Sequence, residues 1–415
     1  MYRLMTTNLL FLFIFCSCVW NEPEHDPDYL PLDDSEYPYA NLPRLVIETE
    51  NFTQIRDTET KVPAKLQIYG KDSPESAILD LTIKGRGNSS FSGMPKPSYK
   101  IEFESKQELF GMPKDKDWVL ISNSADKTLL KNFISLKLYS WLGGSNTPRT
   151  QFVELYLNRE YQGVYLLSEN IKVNKSRINI PRDKHSFLFE KTTAKGMKEK
   201  DIIIQTKKGN LFCIKSPKNA DSETQSRLLQ HLNDWEEFID SPYDITEESL
   251  KEWLDIDDYL RFYWIQEFTK NSDANFNRSI FISWEENHPM HYGPVWDFDF
   301  SYGSWIDKQA QRPDYWYVRD SGWDKKLFQN SIIANEAQNH WNLYKKQFFN
   351  LPDSTNKYAK DLDAAAENEF KRWPVLSNTE NWTYKESYSS YSEAIDSLNS
   401  WIRQRYSWID IQYNQ

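Results

Sequence analysis

The segment GPVWDFDFSYG, residues 293–303, carries two carboxylates, Asp297 and Asp299, in a run that is otherwise aromatic, aliphatic or turn-forming. The run predicts a buried strand that ends in a turn, and alternate side chains of a strand project from the same face. Two acids on one face are costly to bury unless a Lys, an Arg or a metal ion meets them. Mg²⁺ is the divalent candidate, because carboxylates and substrate phosphates are its usual ligands. The alternative is that one acid caps the turn while the other pairs with an Arg.

Composition limits the classes of partner. The chain has 415 residues and a mass of 49.3 kDa, which allows one large domain with additions, or two or three domains. The net charge is −11 and the pI is near 5.3, so the chain lacks the excess of basic residues that nucleic-acid binding requires. We therefore expect no nucleic-acid partner.

The N-terminus indicates export. An early Arg3 precedes an apolar run, residues 9–15, that is too short to span a bilayer but suits a secretory signal. The run ends at Cys-Ser-Cys, which resembles a bacterial lipoprotein processing site, although an ordinary soluble protein with an apolar start is the alternative. We expect residues 1–18 to be the signal peptide and a lipidated Cys18 to anchor an exported protein to the cell envelope, on its periplasmic or cell-surface face. The mature chain would then keep Cys213 and no disulfide.

The remaining sequence predicts an α+β protein with a β-rich N-terminal half and a mainly helical C-terminal half. Residues 19–44 are rich in Pro and acids and predict a tether. Short alternating runs then predict strands, and QFVELYLN and GVYLLSENI, separated by REYQ, predict a hairpin. Helices are predicted over about 221–240 and 247–270, and again from about 325, with loops at LPDS and near Pro374.

Six stretches, in order, resemble the spore-coat protein H (CotH) kinase family. They cover roughly residues 45–410 and are KGRGNSSFSGMPKPSYKIEF, GMPKDKDWVLISNSADKTLLKN, TPRTQFVELYLNREYQGVYLLSENIKV, NSDANFNRSIFI, GPVWDFDFSYG and LNSWIRQRYSWID. The resemblance implies an atypical protein-kinase-like fold. It places the kinase-like domain at residues 45–345 and a helical extension that packs on it at 346–415.

The resemblance assigns catalytic and metal-binding roles. Asp297 lies where the family's metal-binding Asp lies, and Asp299 would bind a second metal directly or through water. In NSDANFN, Asp273 would accept or orient the proton of the substrate hydroxyl, and Asn277 would be the partner metal ligand. Asn follows Asp by four positions here and by about five in the usual kinase motif, so the nearby Asn275 is an alternative. The implied cofactors are ATP and Mg²⁺ or Mn²⁺.

The phosphate-binding loop is assigned to KGRGNSSFSG, between two predicted strands. Gly85 and Gly87 match the first two glycines of a glycine-rich loop, and the stretch is otherwise typical of a plain hairpin turn. Backbone N–H groups of such a turn can bind phosphate. The resemblance therefore implies nucleotide contacts from five consecutive residues, Arg86, Gly87, Asn88, Ser89 and Ser90.

Lys100, in the next predicted strand, is the lysine that the resemblance assigns to the α- and β-phosphates, with Arg86 and Lys96 as competitors. Its usual partner is a Glu on the following helix. The helix predicted in DKTLLKNFISLKLYSWL contains no Glu, which leaves Glu154 or Glu169 as the candidate partner. Adenine would face the backbone of a hinge formed by Glu169, Asn170 and Ile171.

Two further groups of polar residues predict ordinary structure. His288 and His291 lack a nearby Cys or third His to complete a metal site and predict a solvated loop. Asp255, Asp257 and Asp258 precede an apolar helical run and predict a helix cap rather than a calcium site.

Three functions remain open from the sequence. The first is a lipid-anchored kinase that transfers the γ-phosphate of ATP to Ser or Thr of a protein, including itself. Because ATP is scarce outside the cytoplasm, the second is a catalytically silent surface module that binds protein or glycan. The third is a transferase that uses another nucleotide donor. Resemblance in fold does not separate the three.

Overall fold

A computed structural model describes residues 32, 34–71, 73–87, 89–381 and 385–414. The expected signal peptide and Cys18 lie outside the described residues, and so does Asn88. Within these ranges, no helix combines the length and the apolar character needed to cross a bilayer.

Seven strands of the first half close into a barrel in the order β1-β2-β3-β4-β5-β7-β6. Neighbouring strands are antiparallel, except that β1 and β6 pair in parallel where the barrel closes. In β2, alternate residues are buried from Val62 to Ile68, as the two-residue period of a strand requires. The strands are β1 (Arg44–Thr49), β2 (Val62–Tyr69), β3 (Leu79–Arg86), β4 (Ser98–Leu109), β5 (Met112–Ile121), β6 (Thr150–Leu157) and β7 (Glu160–Glu169).

The predicted hairpin is confirmed as β6 and β7, although the loop is shorter than REYQ. The two strands are joined by Asn158 and Arg159 alone, whose φ angles are +51° and +70°. Positive φ at both central residues is what a tight type I′ turn requires. The twist of this turn matches that of the strands, so pairing continues to the turn itself.

A second sheet has five strands in the order β12-β11-β8-β10-β9. Its central strand β8 pairs with β11, which places Glu190 opposite Phe281. The sheet therefore joins the middle of the chain to the segment that precedes the two acids. The strands are β8 (Ser186–Thr192), β9 (Ile202–Gln205), β10 (Leu211–Ser216), β11 (Phe281–Glu285) and β12 (His291–Tyr292).

The strand predicted at GPVWDFDF is wrong. Pairing ends at Tyr292, and residues 293–298 have no regular secondary structure. Asp297 has φ of +66°, a left-handed conformation outside the range of regular strand residues. The two acids therefore lie on an irregular segment, and the alternation of side chains along a strand does not set their orientation.

The remaining regular structure is mainly helical, which confirms the α+β prediction with a β-rich first half. Among the helices, α5 has ten of its 14 residues buried, as expected of a helix at the centre of a core. The helices are α1 (Ser89–Ser92), α2 (Lys131–Trp141), α3 (Ser222–Phe238), α4 (Glu247–Trp253), α5 (Ile256–Thr269), α6 (Lys308–Gln311), α7 (Gly322–Leu327), α8 (Ser331–Phe349), α9 (Leu351–Arg372) and α10 (Tyr391–Asn414).

Two details of the helical half differ from the sequence prediction. The helix expected over 247–270 is two helices, because Asp255 caps α5 by accepting from the Asp258 N–H. The loop expected at LPDS is the first turn of α9. Pro352 is tolerated there, because the first N–H groups of a helix have no partner within it.

Residues 34–43, in the segment expected to be a tether, contact the folded domain. Asp34 pairs with the buried Arg44 at 2.6 Å, and Tyr37 stacks on Tyr161 with ring centroids 4.2 Å apart. The Pro38 carbonyl accepts a hydrogen bond of 2.8 Å from Asn368 on α9. This part of the segment therefore does not extend away from the domain as a tether would.

A buried ion pair joins α9 to the barrel. Lys96 Nζ lies 2.8 Å from both carboxylate oxygens of Glu369 and donates to the Val164 carbonyl at 2.5 Å. Glu369 also accepts from the Val164 N–H at 2.7 Å. Lys96 is thus committed to α9 and is not a competitor for nucleotide phosphates.

Removing one partner of this pair leaves a buried charge uncompensated. We expect Lys96→Met to lower the free energy of unfolding by about 3–5 kcal/mol. The control is Lys65→Met, because Lys65 lies 3.8 Å from Asp80 with both side chains more than half exposed. That variant should change stability by less than about 1 kcal/mol. Urea unfolding measures both, and equal effects would contradict a structural role for the buried pair.

Candidate active site

A cavity of about 460 Å³ collects residues from both sheets and from the irregular segment that carries the acids. Eight residues named from the sequence line it, and they come from five separate parts of the chain. They are Arg86, Gly87, Lys100, Asn170, Ile171, Asp273, Asp297 and Asp299.

Buried amides hold the two acids. The backbone carbonyl of Asp297 accepts from Asn271 Nδ2 at 2.9 Å. The side-chain Oδ2 of Asp297 accepts from Ser279 Oγ at 3.2 Å. Asp299 Oδ1 accepts from Asn132 Nδ2 at 2.7 Å. Both carboxylates are therefore oriented by neutral donors, which fix position without neutralising charge.

Asn132, in the first turn of α2, connects that helix to the acidic segment. Besides its bond to Asp299, its Oδ1 accepts from the Phe298 N–H at 2.9 Å. Sequence reasoning missed this residue because it searched the helix for a Glu. The available signal was a polar side chain in an otherwise apolar helical stretch, where burial requires hydrogen-bond partners.

Asp273 lies on a loop that closes on itself. Its carbonyl accepts from the Arg278 N–H at 2.8 Å, and its Oδ1 lies 3.4 Å from Arg278 Nε. Its own N–H donates to Asn271 Oδ1 at 3.1 Å. Asn271 thereby links the Asp273 loop to the Asp297 backbone, and it is fully buried. This link was also missed from the sequence.

The carboxylates perturb one another. Burial, followed by the charge of Asp297, raises the pKa of Asp273 to about 7. The same two causes raise the pKa of Asp299 to about 7, against a hydrogen bond from Asn132 that lowers it. Burial and the neighbouring charge of Asp297 therefore both disfavour the ionised forms of Asp273 and Asp299.

This donor set fits a divalent cation. Mg²⁺ and Mn²⁺ prefer carboxylate oxygens, and a bound cation would offset the burial and the neighbouring charge that raise the pKa values of Asp273 and Asp299. Asp297 and Asp299 are the side chains that would hold it, with Asp273 beside them.

Arg86 is the cation that faces the acids. Its guanidinium lies over the Trp296 ring, 5.0 Å from the centroid. Burial lowers the pKa of Arg86, whereas the charges of Asp297 and Asp299 raise it. Arg86 is therefore placed to balance the charge of the two carboxylates.

Lys100 is committed to another partner. Its Nζ lies 2.8 Å from Asp117 Oδ1 on the neighbouring strand β5. Of the expected partners, Glu154 accepts from Tyr161 and Asn368, and Glu169 forms a two-pronged pair with Arg149 at 2.9 and 3.0 Å. The expected pairing of Lys100 with Glu154 or Glu169 is therefore wrong.

Several residues named from the sequence do not line the cavity, or have side chains that the structure does not describe. Glu169 lines a neighbouring cavity of about 370 Å³ that shares Asn170 and Ile171 with the first. Asn277 is exposed and donates to the Ser272 carbonyl at 3.2 Å, so it does not reach the acids as a metal ligand. Ser89 and Ser90 begin α1, and their side chains are outside the described structure.

The second sheet contributes residues that sequence reasoning missed. Glu190 on β8 lies 2.7 Å from Lys215 on β10, and both line the cavity. Gly196 and Lys198, from the Lys-rich loop after β8, line it too. The Lys-rich sequence of residues 191–200 favours a solvated insertion, with substrate docking as the alternative, and the structure places part of this loop at the cavity.

A group of Asp255, Asp258 and His291 lies elsewhere. Asp255 caps α5 as predicted, and His291 Nδ1 lies 2.9 Å from Asp258 Oδ2. The hydrogen bond to Asp258 raises the pKa of His291. Arg261 lies 3.3 Å from Asp258 and balances its charge. This group is explained by capping and ion pairing.

Fold and site together define a mixed α+β protein whose carboxylate-rich cavity is lined by cations from a barrel and from a second sheet. A family model described as CotH kinase protein matches residues 83–409. The chain belongs to this kinase-related family, and the match spans the cavity residues from Arg86 to Asp299. No curated protein matches the sequence significantly.

The raised pKa of Asp299 predicts how stability depends on pH. In the folded protein Asp299 keeps its proton up to about pH 7, whereas the pKa of an ordinary Asp is 3.8. The stability that this protonated carboxyl contributes is therefore lost as pH rises from about 3.8 to about 7. Asp299→Asn removes this titration and keeps the acceptor for Asn132. As pH rises from about 5 to about 8, the free energy of unfolding of the variant should increase by roughly 1–3 kcal/mol relative to that of the wild type.

Urea unfolding in the presence of a chelator measures this difference. Asp80→Asn is the control, because Asp80 is 59% exposed and does not line the cavity. If the free energies of unfolding of Asp299→Asn and the wild type differ by the same amount across this pH range, the raised pKa of Asp299 is contradicted.

Proposed function

We propose that this protein is a kinase that transfers the γ-phosphate of ATP to Ser or Thr of a protein, with one or two Mg²⁺ or Mn²⁺ ions. The observation that carries the proposal is the meeting of Asp297 and Asp299 with Arg86 in a cavity that also contains Asp273. In the proposed kinase-like fold, the barrel and the helical half form the two sides of the nucleotide site.

Asp273 would act as the base. Its pKa of about 7 suits proton transfer at neutral pH, because the carboxyl is partly ionised and still basic enough to accept a proton. Since Oδ1 faces Arg278, the free Oδ2 would accept the proton of the acceptor hydroxyl. The hydrogen bond that the Asp273 backbone N–H donates to Asn271 Oδ1 would orient this side chain.

The remaining residues would bind and align the donor. Asp297 and Asp299 would hold the metal ions, which supply neutralisation of phosphate charge when bound. Arg86 would contact phosphate oxygens, and the backbone at Asn170 and Ile171 would face the base. Alignment and charge compensation account for most of the acceleration in phosphoryl transfer.

Export and membrane anchoring through Cys18 belong to the same proposal. An anchored kinase would meet protein substrates at the surface of the cell envelope. An exported enzyme has little access to ATP, so nucleotide donors other than ATP form part of the test.

Incubation with ATP and Mg²⁺ or Mn²⁺, followed by intact-mass measurement, tests the activity. We expect the wild type to gain phosphate, and Asp273→Asn and Asp297→Asn to lose about 10²–10⁴-fold in rate, as loss of a catalytic base or metal ligand does. Asp80→Asn is the matched control and should retain the wild-type rate. Absence of phosphate on the wild type and on added proteins, with every nucleotide donor, would favour a silent binding module.

The two candidate phosphate-binding cations should differ in importance. Arg86→Gln should weaken ATP binding by about 10–100-fold, because a charge-assisted contact is lost. Lys100→Gln should weaken it less than about fivefold, because Asp117 already holds this lysine. Calorimetric titration measures both affinities, and melting temperatures verify folding. A larger effect of Lys100→Gln would return the phosphate role to the lysine.

A further inference from the structure

Arg278 is a cavity residue that neither the family match nor the sequence assigns to a role. It lies five residues after Asp273 and lines the cavity with a side chain that is 40% exposed. Its backbone N–H closes the Asp273 loop at 2.8 Å, so the start of its side chain is fixed beside the expected base.

The guanidinium of Arg278 has donors to spare. Its Nε lies 3.4 Å from Asp273 Oδ1 and is buried without a hydrogen bond. Within the described ranges of the chain, the Arg278 guanidinium donates no hydrogen bond to any residue. An arginine carries five N–H donors in a planar fork, which matches a phosphate group.

The other cations of the cavity are engaged. Lys215 lies 2.7 Å from Glu190, Lys100 lies 2.8 Å from Asp117, Lys198 lies 4.0 Å from Glu59, and Arg86 faces Asp297 and Asp299. Arg278 differs from them because its carboxylate partner is Asp273, the side chain expected to meet the acceptor hydroxyl. Asp273 is expected to contact the acceptor hydroxyl. A guanidinium that pairs with Asp273 and also binds an anion would therefore lie between the acceptor hydroxyl and the donor phosphate.

We propose that Arg278 is a further catalytic residue, whose guanidinium contacts the terminal phosphoryl group of the donor during transfer. This inference rests on the proposed kinase function. In the step, the acceptor oxygen bonds to the γ-phosphorus while the bond from that phosphorus to the β,γ-bridging oxygen breaks. The hydroxyl proton passes to Asp273 Oδ2, and ADP leaves. Arg278 stabilises the charge on the transferred oxygens, as arginine does in other phosphoryl transfers.

The first test compares ATP with ADP in calorimetric titrations that contain Mn²⁺. Arg278→Ala should weaken ATP binding by about tenfold and leave ADP binding within about twofold, because only ATP carries the terminal phosphate. Arg159→Ala is the matched control, since Arg159 is 38% exposed and also pairs with a carboxylate, Glu48, at 2.8 Å. It should leave both affinities unchanged.

The second test is the rate of phosphate transfer. Arg278→Ala should lower kcat by about 10²–10³-fold and raise KM for ATP by about tenfold, in line with the weaker binding, and Arg278→Lys should recover part of the loss. If ATP and ADP weaken equally, or if kcat is unchanged, Arg278 is only a charge partner of Asp273 and the inference is overturned. A wild type that binds neither nucleotide would instead refute the proposed function, and this inference with it.

Discussion

Repulsion between carboxylates in a partly dry cavity is the constraint on which the site depends. Asp273 and Asp299 each have a pKa near 7 because they are desolvated and lie close to the charge of Asp297. Such an arrangement lowers the stability of the fold alone. It is explained if a cation and a phosphorylated ligand share the cavity.

The supporting structure keeps these charges in place. Asn132 and Asn271 hold the acidic segment from α2 and from the end of α5, so the position of two helices fixes the site. Farther out, Arg405 on α10 pairs with Glu267 on α5 at 2.5 Å, with neither side chain exposed, and donates to the carbonyls of Pro313 and Tyr315. The C-terminal helix therefore fastens the loop that follows the acids. A site with strong internal repulsion needs such rigid support.

The sequence predicted the parts of the fold that depend on local pattern. The β6–β7 hairpin and the cap at Asp255 follow from turn and capping residues, which act over a few positions. The strand at GPVWDFDF was wrong because a run of aromatic residues is equally suited to an irregular buried segment. Arg278, Asn132 and Glu190 were missed because their roles arise from tertiary contacts. Composition carried no signal that Asp117 would bind Lys100 in place of a helical Glu.

Calorimetric titration of ATP into the wild-type protein, with Mn²⁺ and then with a metal chelator, tests the central claim most directly. The claim is that the acidic cavity binds a nucleotide only when a divalent cation offsets its carboxylates. We predict binding with Mn²⁺ and its loss, by a factor of about 100 or more, with the chelator. Equal affinity in both conditions, or binding in neither, would contradict this account.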